Sequence, residues 1–344
     1  MSVTIEDISK RLKLSTSTVS KALNGYKDVS DKTRELVVGT AKELGYQPSA
    51  SARNLRRQRT DKIGFIFNNS VMFISDYFAE VIVGATAAVE EVGKNIILYI
   101  GEEDSADSLL KIIRAKEVDG FVFVWNHVPA HIVDLLITEK TPFVVLGRRV
   151  GHPQASWIAP DNYKGAYDLM QHLYDLGHRR IGCTTRPSMG RTNEDRFDAY
   201  KDFLVDKGIE IDPELIVETK IIPLSGYDAA NQLLDLEHPP TAIFAFHDYV
   251  AIDAHKAIIE RGLSIPEDVA LVGFDGLSVS RLASPPITTA VQPLIDIGRE
   301  SVVTLLNRIE DRTLPPTQKT LPVTLDFRSS TTGQTNKSKT KTAF

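Results

Sequence analysis

Cysteine is almost missing: the 344 residues contain one, Cys183. A lone thiol excludes an internal disulfide framework and any zinc cluster built on cysteines. Its place in the apolar run Ile181-Gly182-Cys183 predicts a buried, inert side chain. Long hydrophobic runs are missing as well. No segment approaches the roughly 18 uninterrupted apolar residues that a membrane-spanning helix needs. The opening MSVTIEDISKRL has no apolar stretch behind its charges, so no secretory signal is expected. The expected setting is cytoplasmic, with no membrane partner.

Catalytic signatures are equally scarce. There is no G-x-x-x-x-G-K and no G-x-G-x-x-G, which removes the usual phosphate cradles for nucleotides. Gly276-Leu277-Ser278-Val279-Ser280 comes near a nucleophile elbow but lacks the closing glycine, and reads as a loop. His127 and His131 stand four apart, yet Pro129 interrupts any continuous helix and no glutamate adjoins them. No metal pair is expected there, no cofactor elsewhere, and no enzymatic turnover.

What is present is a soluble globular composition, 42% apolar and 25% charged, long enough for two or three domains. The net charge of −5 hides a split. Residues 1–62 carry 13 Lys/Arg against 7 Asp/Glu, a balance of +6, which leaves −11 on the rest. A basic end on an acidic body fits a nucleic-acid-binding module joined to a body that does not bind it.

Pattern supports that reading. Thr4 can cap a helix whose Ile5, Ile8 and Leu12 share one face, with Asp7 in its first turn. Ser15 caps a second helix over Thr16 to Asn24, with Val19, Ala22 and Leu23 inward and Thr16, Ser17, Ser20 and Lys21 outward. Ser30 caps a third, with Leu36, Val37, Ala41 and Leu44 as its core stripe and Gly45 ending it. Two short helices joined by a tight turn and covered by a longer third form a helix-turn-helix. Hydroxyls and a lysine on the second helix suit the major groove, where they reach base edges and phosphates. After Pro48 the stretch Ser49-Ala50-Ser51-Ala52-Arg53-Asn54-Leu55-Arg56-Arg57 has helix formers but almost no apolar face. It is read as a linker that turns helical when it docks. Leu55 amid cations can wedge between base steps of the minor groove while the arginines meet phosphate.

These residues resemble the LacI/GalR family of bacterial transcription regulators. The resemblance runs through Val3-Thr4-Ile5-Glu6-Asp7-Ile8, Leu14 to Asn24, Val29 to Arg34, Leu44 to Pro48 and Ala52-Arg53-Asn54-Leu55. It implies that Thr16, Ser17 and Lys21 read bases and that Thr18, Ser20, Asn24, Ser30 and Thr33 hold phosphates. Thr4, Ser49, Ala52 and Arg56 complete the expected DNA-contacting set, with Leu55 as the wedge at the operator centre. The family most often has arginine where this chain has Lys21. A lysine presents a point charge, not a bidentate fork, so the base pair preferred there is left open.

From Ile63 the pattern changes. Apolar runs at Ile63–Phe67, Ile96–Ile100, Phe121–Trp125, Phe143–Leu146, Ile181–Thr184, Ala242–Phe246 and Val269–Phe274 alternate with amphipathic stretches such as Phe78–Val92 and Tyr163–Leu176. Strands alternating with helices predict parallel sheets covered on both faces, and this length predicts two lobes. The family resemblance continues through Asp61-Lys62-Ile63-Gly64-Phe65, Ala159 to Gly165, Gly177 to Ile181, Val272-Gly273-Phe274-Asp275 and Pro285 to Thr289. It implies an α/β fold: an all-α helix-turn-helix headpiece plus a two-lobed sensor with parallel sheets, like a periplasmic binding protein, its chain crossing between lobes three times. The expected divisions are a headpiece at 1–46, a hinge at 47–60, a sensor and dimerisation domain at 61–328, and a disordered tail at 329–344. Lobe one would hold about 61–160 and 291–320, and lobe two about 161–290 and 321–328.

The effector, expected to be a sugar, would sit between the lobes. Phe78 can stack on a sugar face, and Arg196 and Asp275 lie at strand–helix boundaries and resemble the family's ligand-binding arginine and aspartate. Asp161, Thr192, Trp125 and His247 are further candidates. A family position that is often aromatic is Ile221 here. The expected partners are a pseudo-palindromic operator, a small effector and a second copy of the chain. The tail has no leucine heptads for a tetramer helix.

Overall fold

The computed structural model describes residues 3–46, 59–68, 76–101, 106–124, 128–186, 190–219 and 225–332. The chain divides after Thr60 into two compact units. Residues 47–58 of the hinge, Trp125, Ile221 and everything after Thr332 lie outside the described residues.

The first unit has three helices, α1 (Ile5–Leu12), α2 (Thr16–Leu23) and α3 (Asp31–Glu43). Each start is capped as the sequence requires. The Thr4 hydroxyl accepts from the Asp7 amide while the Asp7 carboxylate accepts from the Thr4 amide, and Ser15 and Ser30 cap the other two. Lys13, at φ 55°, turns the chain out of α1 in the left-handed region. Ile8, Val19, Ala22, Val29, Val37 and Ala41 form the core. Leu36 differs from expectation: it is 55% exposed. The buried stripe of α3 runs through Val37, Thr40, Ala41 and the half-buried Leu44, and Leu36 lies roughly 100° around the helix from Val37.

The second unit holds two six-stranded sheets. In chain order its elements begin with β1 (Lys62–Asn68), α4 (Asp76–Glu90), β2 (Asn95–Gly101), α5 (Ala106–Ala115), β3 (Phe121–Val124), α6 (Ala130–Thr138), β4 (Phe143–Leu146) and β5 (Ser156–Pro160). Then come α7 (Asn162–Asp175), β6 (Ile181–Thr185), α8 (Arg191–Asp206), β7 (Ile216–Glu218), α9 (Ser225–Leu234), β8 (Ala242–Phe244), α10 (Asp248–Glu260) and β9 (Ala270–Asp275). The last are α11 (Ser278–Leu282), β10 (Thr288–Val291), α12 (Leu294–Glu310), β11 (Gln318–Leu321), β12 (Thr324–Asp326) and α13 (Ser329–Thr332). Pro129 does not abolish a helix near the two histidines; it stands at the N-cap of α6, where its missing N–H is harmless.

The strand orders are β11-β5-β4-β3-β1-β2 and β12-β10-β9-β8-β6-β7. Apart from the added strand at one edge, both are the same doubly wound order, with pairing parallel everywhere except β10–β12. Such sheets place ligands beyond the carboxyl ends of the strands, where the winding reverses. The chain passes between lobes three times, after β5, after β10 and after β11. Thus α12 returns to the first lobe, where it packs on α4. That packing is backbone against backbone. A Cβ on Gly84 would lie 1.9 Å from the Ile295 carbonyl oxygen, and one on Gly298 would lie 2.1 Å from that of Val81.

Two expectations need correcting. Ser278–Leu282, read as a loop, is the one-turn helix α11. The disordered tail does not begin at Ser329, because α13 is packed on the second lobe. The Ser330 hydroxyl donates to the Leu271 carbonyl (2.6 Å) and accepts from the Thr288 amide (2.8 Å). The Thr331 hydroxyl meets Thr288 Oγ1 (2.8 Å) and His172 Nε2 (2.9 Å). Hydroxyls that look like solvent-facing polarity in sequence here satisfy buried backbone groups.

Candidate DNA-reading face and effector cleft

In the headpiece Thr16 and Ser17 are exposed at the start of α2, and Thr4, Asn24 and Ser30 are exposed as well. Thr18 and Thr33 are half-buried and pair with the capping hydroxyls of Ser15 and Ser30, at 2.8 Å each. Ser20, expected outward, is buried at 7% exposure. It neighbours Leu23 around the helix, and the packed face of so short an element reaches that far. Its carbonyl accepts from the Asn24 side-chain Nδ2 at 2.6 Å. Lys21 is not free either: its Nζ lies 2.5 Å from Asp28 Oδ2, and that contact raises its pKa. Ser49, Ala52, Leu55 and Arg56 lie outside the described residues.

In the sensor the two sheets meet through their carboxyl ends. The N-terminus of α4, after β1, brings Asp76, whose Oδ2 accepts the Ser278 amide at 3.0 Å and also the Ser278 hydroxyl. After β4, Arg149 Nε donates to Asp195 Oδ2 at 3.1 Å, and its Nη2 donates to the other oxygen of that carboxylate on α8. Between these contacts lies a polar cluster on the second lobe. Arg196 is 2% exposed. It donates to Asp275 Oδ1 (2.8 Å), Asn162 Oδ1 (2.9 Å) and the Phe246 carbonyl (2.5 Å), and its guanidinium lies 3.7 Å over the Phe274 ring. Three of its five N–H groups are thereby used, and two are left.

Asp275 ends β9 with φ 116°, a region that L-residues rarely adopt. Burial opposes its ionisation, yet Arg196 and His247 hold its pKa below the usual carboxylate value. His247 caps α10: its Nδ1 accepts from the Tyr249 amide (3.1 Å), so Nε2 carries the proton and faces Asp275 Oδ2 at 3.0 Å. Asp248 behaves oppositely. Burial first, and the Asp275 charge second, push its pKa up to about 7. It accepts from the Leu277 amide and the Thr289 hydroxyl, both at 2.7 Å.

Of the remaining candidates, Thr192 has a buried Oγ1 without a hydrogen-bond partner. Phe78 packs edge-on against Phe67 and Tyr77, at 5.5 and 5.3 Å between ring centres, so the lobe-one core holds part of it. Asp161 caps α7 by accepting the Lys164 amide at 3.0 Å. Arg196, His247 and Asp275 are thus brought together, and Asp161 is occupied locally. Sequence reasoning did not single out Tyr77, Arg148, Arg149, Asn162, Asp195, Asp248 or Gln292, whose side-chain amide donates to Asp275 Oδ1. For the two arginines the available signal was their place one glycine after the apolar strand Phe143–Leu146.

A helix-turn-helix unit followed by a two-lobed α/β unit with a buried polar cluster where its sheets meet defines a class, the DNA-binding regulator that carries its own small-molecule sensor. Comparison with known proteins agrees. The profile described as bacterial regulatory proteins, lacI family, matches residues 4–49, and that of the periplasmic binding protein-like domain matches 170–331. The chain is 30% identical over 333 residues to the transcriptional repressor CytR of Escherichia coli (strain K12), covering 95% of this chain and 96% of that protein. It is 32% identical over 311 residues to the repressor PurR of Haemophilus influenzae (strain PittEE), covering 89% and 91%. Among solved structures, a CelR–cellobiose complex superposes with TM-score 0.73 at 30% identity, covering 95% of this chain and 99% of that one. A lac repressor dimer bound to operator and an anti-inducer gives TM-score 0.81 at 24% identity, covering 96% and 99%, a likeness of fold. The chain belongs to the lacI family of bacterial regulatory proteins, and it is a transcription regulator whose DNA binding answers to an effector.

Proposed function

We propose that the chain is a cytoplasmic repressor, without enzymatic activity, that binds a two-fold symmetric operator as a homodimer and governs carbohydrate-metabolism genes through a sugar bound between the lobes. The observation that carries the effector half is the buried cluster of Arg196, Asp275 and His247, assembled at the carboxyl ends of β6, β8 and β9 with Asp275 in a strained backbone conformation. Sugar hydroxyls suit the donors and acceptors of charged groups, and the relative CelR was solved with cellobiose. The two N–H groups left on Arg196, the free Thr192 hydroxyl and Phe78 are the assigned contacts.

On the DNA side, Thr16, Ser17 and Lys21 are assigned to bases, and Thr4, Thr18, Asn24, Ser30 and Thr33 to the phosphates. Dimerisation is supported by β2, an edge strand with Leu98 and Ile100 at 53% and 67% exposure on one face. An exposed apolar edge of that kind calls for a cover. Effector and operator are then coupled through the angle between lobes, a two-state element that both bias.

Selection of duplexes from a random pool, at near-physiological salt, tests this reading. Enrichment of a palindrome whose retention falls or rises with one sugar supports it. Failure to enrich any symmetric site, with or without a sugar mixture, overturns it.

A further inference from the structure

Arg148 follows β4 at the carboxyl end of the first sheet, and its two neighbours fix where it lies. Gly147, at φ 82°, sits so close beneath Tyr77 that an added Cβ would come within 2.5 Å of the phenolic oxygen. Arg149, on the other side, crosses to Asp195 of the second lobe. Arg148 therefore belongs to the space between the lobes. Its charge is felt at Tyr77, which also feels Asp275 and Arg196.

The cleft arginines differ in one respect. Arg149 has Asp195 and Arg196 has Asp275, whereas no carboxylate among the described residues pairs with Arg148. Its Nε is shielded from solvent and has no hydrogen-bond partner. Arg148 as a whole is half-buried, and desolvation lowers its pKa to about 10. Uncompensated buried charge is strongly unfavourable. A buried N–H left without a partner by the chain is completed by a water, an ion or a ligand, and in a cleft between two lobes a ligand has room to enter. A planar guanidinium with an N–H fork matches an oxyanion in two-point geometry.

We infer that the effector carries an oxyanion, a carboxylate or a phosphate, and that Arg148 in the cleft receives it. The inference rests on the cleft being the effector site, and it narrows the class from sugars in general to sugar acids or sugar phosphates. Tyr77 walls the same pocket, and Arg196 with Asp275 is left for the hydroxyls.

Thermal-shift and calorimetric titrations of the full-length protein test it. The probes are glucose, galactose, fructose and ribose, each with its phosphate ester and its sugar acid. Anionic members should bind at least about tenfold tighter than their neutral parents. Phosphate and acid arms of the same sugar then tell the two sources apart. Arg148→Met should erase that discrimination, roughly ten- to a hundredfold, while the ligand-free Tm holds or rises, because an unpaired cation has been removed. Arg148→Lys should keep part of it. Binding of neutral sugars as tightly as their anions, or unchanged discrimination in both variants, overturns the inference and leaves the sugar-sensor reading standing. Absence of any response to either set overturns both.

Discussion

Arg149 and Asp195 tie the two lobes together, with Nε 3.1 Å from Oδ2 and a second hydrogen bond to the other carboxylate oxygen. The arginine side chain is 40% exposed, so solvent screening leaves the pair roughly 1 kcal/mol or less. That still shifts a two-state opening equilibrium severalfold. Arg149→Ala should therefore raise the radius of gyration of effector-free protein in small-angle scattering, with Asp195→Asn doing the same. An unchanged radius would reduce the pair to surface decoration.

In the proposed operator complex Asp28 would compete with DNA for Lys21. The contact is exposed and short, so the lysine must break it before it reaches a base or phosphate. Asp28→Asn removes the competitor and one repulsive charge. Affinity for any duplex should rise a few fold, and Lys21→Met should lower the slope of log affinity against log salt by about one. Fluorescence anisotropy at two salt concentrations reads both.

Gly84 and Gly39 are both helical glycines, with opposite expected effects. Gly84→Ala drives a methyl into the Ile295 carbonyl and should cost about 1–3 kcal/mol or more, lowering Tm. Gly39, inside α3, has open space around it and needs no left-handed φ. Gly39→Ala should stabilise the headpiece by roughly 0.5–1 kcal/mol, seen as slower amide exchange in α3 of the full chain.

Asp248 gives a pH signature. Its pKa is about 7 in the folded state and about 3.9 unfolded. A folded value above the unfolded one means the contribution is complete below about pH 4 and is lost as pH rises through about 7. His172, His178 and His255, whose pKa values burial lowers, act in the reverse direction below about pH 6.5. The readable quantity is thus the difference from Asp248→Asn. In urea unfolding between pH 4.5 and 8, wild-type stability should fall relative to the variant as pH rises. Parallel curves would place Asp248 in an ordinary ionised state.

The sequence made the alternation of strand and helix legible because buried parallel strands are continuous apolar runs, and β1, β2, β3, β4, β6, β8 and β9 all lie on such runs. It hid β11, whose Gln318-Lys319-Thr320 is exposed along a sheet edge, and β12, which is three residues long. Both are strands only through partners more than thirty residues away. Within the candidate cluster, Arg196 and Asp275 were legible because they resemble a family motif, and His247 was named beside them as a further candidate without one. Arg148, Tyr77 and Asp248 escaped because what marks them is the absence of a partner or the sharing of partners far apart in sequence, which no local pattern encodes.

The return of α12 and β11 to the first lobe also governs how the protein is made. Sheet one has five of its strands by Pro160, yet its covering helix and sixth strand lie at 294–321. At a synthesis rate of roughly 5–20 residues per second, a half-covered sheet waits on the ribosome for on the order of ten seconds. The second lobe, begun later, lacks only β12 and α13 when that wait ends. The N-terminal lobe is thus completed late in translation, and its uncovered sheet is the surface that a chaperone would meet.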